Sequence, residues 1–194
     1  VVFLLGGVTG PPNATVSTDL HLHDTYFIVG HFHDTMFGGY IFPFFAALYY
    51  WYPKAFGKRL DERLGKLHFW LMTPSFFILT LGMMRIGLLG MRRRIADYDA
   101  LLGFDIWHTV LTVSAYLIAA GILVFFWNVY ITAKKGQPAT GNIWNSRSPE
   151  WQAPSPLPVH NYDKPFEVVG EPYDYGLEGS TYVKTIETEV GSHA

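Results

Sequence analysis

Three long apolar stretches, separated by short charged loops, constrain this chain more than any other feature. They cover residues 26–52, 67–89 and 106–131. The first, some 27 residues, makes a helix of about 40 Å, long enough to cross a bilayer with tilt. The second carries Pro74, which predicts a kink, and Arg85 near its end. No Asp, Glu, Lys or Arg interrupts the third. In hydrocarbon the backbone must satisfy its own polar groups, so each stretch is expected to be a helix. Composition agrees with an all-α membrane protein: charged residues are 15% and aromatics 17%, whereas soluble domains carry about 25% charged residues.

The stretches divide the chain. Residues 1–10 read as the end of a preceding transmembrane helix, broken by Gly6-Gly7-Val8-Thr9-Gly10-Pro11-Pro12. Residues 11–24 are expected to be an outer metal-binding loop, and 25–52, 67–89 and 106–132 the spans. Residues 53–66 and 90–105 connect them. The loop at 53–66 holds Lys54, Lys58, Arg59, Arg63 and Lys66 against Asp61 and Glu62, and Lys134 and Lys135 follow the third span. Both basic sites fall on one side, which the positive-inside rule makes cytoplasmic. Arg92-Arg93-Arg94 then lies outside, against the rule: either the topology is inverted or these arginines answer a local negative charge such as Asp97 or Asp99. Residues 133–194 form a cytoplasmic tail. Prolines from Pro149 to Pro172 exclude a helix over residues 142–176 and predict an extended segment lying on the polypeptide surface or on a partner; residues 177–194 are expected to be mobile. Val1 opens inside an apolar stretch, as expected of a fragment, a processed product or one half of a split subunit.

The chain has no cysteine, which excludes disulfides, iron–sulfur clusters and thiolate-bound zinc. A formal net charge of -2 gives no electrostatic reason to expect nucleic acid. Any metal must be held by His, carboxylate, Met or backbone oxygen.

His31-Phe32-His33 stands inside the first span. Polar ionisable groups in a membrane are costly and are usually functional. On a helix, residues i and i+2 point about 200° apart. His31 and His33 therefore cannot chelate one metal, but they can serve two centres on opposite faces, with Phe32 between them. Upstream, His23-Asp24 sits in a polar segment and suits a hard divalent cation such as Mg²⁺ or Mn²⁺, with Asp19 behind. Spacing alone leaves ligation and helix packing equally open for the paired histidines. His68 and His108, at span ends, read as interfacial anchors, and Tyr49, Tyr50, Trp51 and Tyr52 as an interfacial aromatic belt. Gly38-Gly39 predicts a close helix approach.

Taken together, Gly6-Gly7-Val8-Thr9-Gly10, Asp19, His23-Asp24-Thr25-Tyr26-Phe27 and His31-Phe32-His33 resemble subunit I of the heme-copper terminal oxidases. Tyr52-Pro53-Lys54, the stretch from Asp61 to Trp70, Gly90-Met91-Arg92-Arg93-Arg94 and the tail from Glu150 to Tyr162 extend the resemblance to about residue 175. It implies the C-terminal three helices, plus the stub of another, of a twelve-helix bundle. His31 would be the axial ligand of a high-spin heme facing copper, and His33 an axial ligand of a low-spin heme. Phe32 would lie between the hemes, Arg93 and Arg94 would hold heme propionates, and His23 and Asp24 would bind Mg²⁺ or Mn²⁺, with Asp19 supporting them. The copper ligands would come from the remainder of subunit I, outside this chain. Implied partners are that remainder, subunit II and other oxidase subunits, cytochrome c or quinol, and membrane lipid, in a prokaryotic plasma membrane. The implied reaction is reduction of dioxygen to water coupled to proton translocation. A nitric oxide reductase of the same superfamily and a non-catalytic heme-carrying subunit are the alternatives. Two positions depart from the family pattern: Asp34 replaces an aromatic residue, and Arg92 stands where proline is common.

Overall fold

The computed structural model describes residues 1–139, 141–162, 164–171, 173–174 and 182–185. In chain order it contains α1 (Val2–Ala14), α2 (Val16–Leu22), α3 (Tyr26–Met36), a π-helical segment (Phe37–Ile41), α4 (Phe42–Phe56), β1 (Lys58–Arg59) and α5 (Glu62–Leu88). A 3-10 turn (Ala100–Leu102), α6 (Asp105–Lys135), β2 (Gln137–Pro138), α7 (Pro149–Gln152), β3 (Phe166–Val168) and β4 (Val183–Thr185) follow. Helices α5 and α6 are long and apolar enough to cross a membrane. From Tyr26 to Phe56 the chain stays helical, passing from α3 through the π segment into α4. Two compact units result: Val1–Leu48 with Asp61–Ile131, and Tyr49–Leu60 with Thr132–Ala194.

In the first unit α3 packs antiparallel on α5, and glycines make the approach possible. A Cβ on Gly87 would stand 1.9 Å from the Phe27 nitrogen, and one on Gly30 would stand 2.8 Å from the Thr80 carbonyl oxygen. The start of α3 is stitched to the end of α5 by Tyr26 N–H donating to Met91 O (2.9 Å) and Arg93 N–H donating to Asp24 O (2.9 Å). Thr25 caps α3, its hydroxyl oxygen accepting from Phe27 N–H at 3.2 Å. At the other end of α5, Asp61 is the N-cap, accepting from Leu64 N–H at 2.9 Å. Buried Asn128 of α6 grips the same residue, accepting from Asp61 N–H (3.0 Å) and donating to Asp61 O (2.9 Å). This pairing explains a fully buried amide in an apolar helix. Phe76, Met72, Leu79, Ile86, Leu111 and Ile118 form the apolar core between these elements.

Several expectations change. Helix α1 runs through Gly6-Gly7 and includes Pro11 and Pro12, so it is not broken there. The prolines fall in its last turn, so the helix loses only the two bonds to the Gly7 and Val8 carbonyls before it ends. Gly6 is buried against α3, where a Cβ would press to 2.7 Å from Thr35. The expected loop at 11–24 is largely helical, holding the end of α1 and all of α2. Gly38 confirms a close approach: a Cβ there would stand 2.2 Å from the Phe3 nitrogen on α1. His68 is no interfacial anchor. It is buried, with Phe45 at 4.7 Å and Phe125 at 5.6 Å between ring centroids.

The second unit joins the end of α4 to the tail. Trp151 is fully buried, stacked on Trp51 (5.5 Å, 23°) and meeting Tyr50 edge-on (5.0 Å, 73°). Lys54, also buried, donates to the carbonyls of Ala153 (2.7 Å), Gly141 (3.3 Å) and Pro154 (3.4 Å), with its ammonium 5.0 Å from the Trp151 ring. Tyr50 and Trp51 thus seat the tail. The tail is not wholly extended. It carries the single turn α7 and an antiparallel pair of β3 with β4, while β1 pairs with β2. Of residues 177–194, only 182–185 are described, and three of these form β4; the expectation of mobility otherwise lies outside the described residues.

Candidate functional site

His31 and His33 lie in the middle of α3 and meet different surroundings. His31 faces α1, its Nδ1 2.9 Å from the Thr9 hydroxyl. That hydroxyl has two acceptors of its own, Gly6 O at 2.9 Å and Leu5 O at 3.2 Å. With its single proton on either carbonyl, the hydroxyl's lone pair accepts from His31 and Nδ1 carries the imidazole proton; in the other tautomer the hydroxyl donates to Nδ1. His33 reaches the same state by a local route. Its Nδ1 is 2.7 Å from Val29 O, and a carbonyl only accepts. Among the described residues no hydrogen bond reaches either Nε2. With Nδ1 as the donor in both rings, each imidazole has its Nε2 lone pair available and the ring held from behind. This is the state an iron ligand needs, and both residues fit axial ligation of a heme.

Aromatic packing supports the second histidine. The His33 ring stacks on Phe32 (4.7 Å, 27°) and on Phe37 (6.1 Å, 25°), and Phe37 stacks on Phe76 of α5 (4.7 Å, 26°). The π-helical segment begins at Phe37, directly after this turn. Such segments often mark functional positions.

Asp19, His23, Asp24 and Arg93 come together where α2 ends and α3 begins. His23 Nδ1 is 3.4 Å from Asp19 Oδ2, and His23 Nε2 is 3.7 Å from Asp24 Oδ2. Arg93 donates to Asp24 Oδ1 through both Nε (2.8 Å) and Nη2 (2.7 Å). That hydrogen bond pulls the Asp24 carboxyl below its usual range, and the charges of Arg93, His23 and Arg94 add to the effect. Asp24 adopts a left-handed conformation (φ 57°), which a short polar side chain tolerates, whereas Arg94 at φ 64° is strained. His23 and Asp24 are adjacent donors with Asp19 behind the imidazole, the arrangement of a carboxylate–histidine–metal triad. Among the described residues there is no group of three or more His, Cys, Asp or Glu able to hold a metal. A cation here needs oxygen ligands beyond these residues.

A family model described as Cytochrome C and Quinol oxidase polypeptide I matches residues 1–140. The chain belongs to that family. It is 40% identical over 176 residues to Cytochrome c oxidase subunit 1 of Synechocystis sp., covering 91% of this chain and 32% of that protein. With Probable cytochrome c oxidase subunit 1-alpha of Streptomyces coelicolor it shares 43% over 164 residues, 84% of this chain and 28% of that protein. Cytochrome c oxidase subunit 1 of Bacillus sp. is 38% identical over 161 residues. The chain spans about a third of the length of the curated relatives it matches. This oxidase polypeptide is a mostly helical membrane protein.

Sequence reasoning about this oxidase polypeptide missed Thr9 and the Val29 carbonyl. The Val29 contact is readable in principle, because residue i−4 lies one turn below His33. Thr9 is 22 positions from His31 and reaches it only through the packing of α1 on α3.

Proposed function

We propose that this chain is part of the catalytic subunit of a respiratory terminal oxidase, holding one axial ligand to each of two hemes in a prokaryotic plasma membrane. The observation that supports the reading is the pair of Nδ1 contacts, to the Thr9 hydroxyl and to the Val29 carbonyl, on imidazoles two residues apart in one helix. When bound, the two hemes and a copper ion supply electron transfer and the reduction of dioxygen to water, coupled to proton translocation. His31 serves the high-spin site and His33 the low-spin site, with Phe32 between them. The Val29 carbonyl and the Thr9 hydroxyl fix each ring's tautomer and direction. Arg93 and Arg94 neutralise propionate carboxylates. Arg93 spends only Nε and Nη2 on Asp24, so Nη1 remains for a second anion. His23 and Asp24 bind Mg²⁺ or Mn²⁺, with Asp19 orienting His23. Copper ligands come from the rest of subunit I, within a twelve-helix bundle that includes the spans at 25–52, 67–89 and 106–132. Subunit II and other subunits complete the complex, and cytochrome c or quinol donates the electrons. Residues 53–66 and 133–194 lie on the cytoplasmic side.

The test is to purify the complex containing this chain and measure heme, copper and gas consumption. Two hemes, copper and oxygen uptake with reduced cytochrome c or quinol are expected. Nitric oxide consumption without copper, or a complex without heme, overturns the reading. A second measurement addresses Thr9. Thr9→Val should lower the frequency of the ferrous iron–imidazole stretch and weaken heme retention about tenfold, with Thr9→Ser restoring both. An unchanged stretch means that Thr9 does not orient His31.

A further inference from the structure

The end of α6 and the strand pair that follows it gather positive charge without acids. Within the second unit, residues 49–60 and 132–149 contain Lys54, Lys58, Arg59, Lys134, Lys135 and Arg147 and no Asp or Glu. Two of these cations are engaged internally. Lys54 is buried against tail carbonyls, and Lys58 donates to the Ala133 carbonyl near the end of α6. Arg59, Lys134 and Lys135 are exposed. The pairing of β1 with β2 brings them to one place. Arg59 stands opposite Gln137, two residues beyond Lys135, and Gly57 O accepts from Ala139 N–H at 2.9 Å. Among the described residues, neither Arg59 nor Lys135 has an ion-pair partner. The next acids along the chain serve α5, Asp61 as its N-cap and Glu62 in a pair with Lys66 at 2.9 Å.

Position along α6 indicates what these charges meet. The helix is long and apolar enough to cross a membrane, and Lys134 and Lys135 occupy its last turn. One turn before Lys134, Tyr130 (50% exposed) stacks on Trp127 (56% exposed) at 5.6 Å and 25°. Exposed Trp and Tyr near the end of a spanning helix sit at the headgroup level of a bilayer. A helical turn advances about 5.4 Å, so the lysines stand at the depth of lipid phosphates. Phe56, 64% exposed, ends α4 two residues before Lys58 and offers an apolar contact beside the charges. The helix dipole also favours lysines at this end. It does not account for Arg59, which lies on a strand. The guanidinium of arginine matches a phosphate through two parallel hydrogen bonds, and lysines add point charge. A soluble acidic partner would meet the same charges, but their place at the membrane boundary favours a lipid.

We propose that Arg59, Lys134 and Lys135, with Phe56 beside them, bind the headgroup of an anionic phospholipid at the membrane surface. The site stands on the membrane-crossing helix and its strand pair, not on the heme ligands. The test uses the assembled complex in phosphatidylcholine vesicles with a small share of photoactivatable phosphatidylglycerol, and maps the crosslinks by peptide mass spectrometry. Photoactivatable phosphatidylcholine is the reference. Each basic residue near an anionic surface contributes about fivefold to binding. Phosphatidylglycerol should therefore label residues 53–60 and 132–139 about tenfold more than phosphatidylcholine does. Arg59→Gln and Lys135→Gln should each cut that excess about fivefold at unchanged heme content, and Arg59→Lys should keep most of it. Equal labelling by the two lipids overturns the proposal, as does an excess that survives both Gln substitutions. An excess removed by inorganic phosphate or by a polyglutamate peptide at constant ionic strength assigns the patch to a soluble anion or an acidic partner and overturns the lipid assignment. Should a variant not assemble, salt added to the wild-type complex decides. The excess should fall as salt rises, and an excess indifferent to salt overturns the proposal.

Discussion

His33→Ala in the assembled complex loses the low-spin heme and keeps the high-spin one, and His31→Ala does the reverse. The expectation follows from helix geometry and from the two anchors. Residues two apart on α3 project about 200° from each other, and their Nδ1 atoms are held by Thr9 on α1 and by Val29 on α3 itself. Neither ring depends on the other for its orientation, so each substitution removes one lone pair and one heme. Pyridine hemochrome analysis should fall by one heme per complex in each variant. The oxidised and reduced spectra should lose different components. Imidazole added to the buffer should partly restore the missing band in each case, because the alanine leaves a gap shaped for it. Loss of both hemes in each single variant would indicate a shared centre. Two unchanged spectra would make both residues packing histidines and would end the oxidase reading for this helix.

Gly87→Leu prevents assembly of the heme-loaded subunit, whereas Gly7→Ala leaves it intact. A Cβ at Gly87 would overlap the α3 backbone, at 1.9 Å from the Phe27 nitrogen and 2.7 Å from its Cα. The obstacle is main chain, so no side-chain rotation relieves it. Overpacking of this kind costs about 3 kcal/mol or more. The displaced element is the one that carries both imidazoles. Gly7 is exposed and a Cβ there meets nothing within 4 Å, so alanine should match or improve on glycine in α1. Heme-to-protein ratio after detergent extraction, with the thermal midpoint, distinguishes the two variants. A Gly87→Leu complex with full heme content and an unchanged midpoint would contradict the tight α3–α5 seam.

The histidine spacing, the lengths of two of the three expected spans and the family resemblance were legible in the chain, because each depends on local repeat geometry or on an uninterrupted string of residues. His31 and His33 point apart through helical pitch alone, and helices α5 and α6 follow from apolar runs with few charges. Where the linear reading went astray, a distant partner had intervened. Glycines and prolines that look like a helix break at 6–12 are carried inside α1, with Gly6 serving as the contact point with Thr35. His68, placed at a span end by position, is enclosed by Phe45 and Phe125. Trp151, in a proline-rich tail that reads as surface material, is the fully buried centre of its unit, held by Lys54, Tyr50 and Trp51.

Sequence by itself determined that His31 and His33 point apart on one helix and cannot share one metal. Tertiary structure decided which nitrogen of His31 is available, because only the docking of α1 on α3 brings Thr9, 22 residues away, to 2.9 Å. It also decided that Arg93 meets Asp24 and that Asp34 is fully buried. Pitch and hydropathy act over a few residues and can be read along the chain. A hydrogen bond between helices depends on rotation and depth of packing, which glycine contacts and whole helix faces set together.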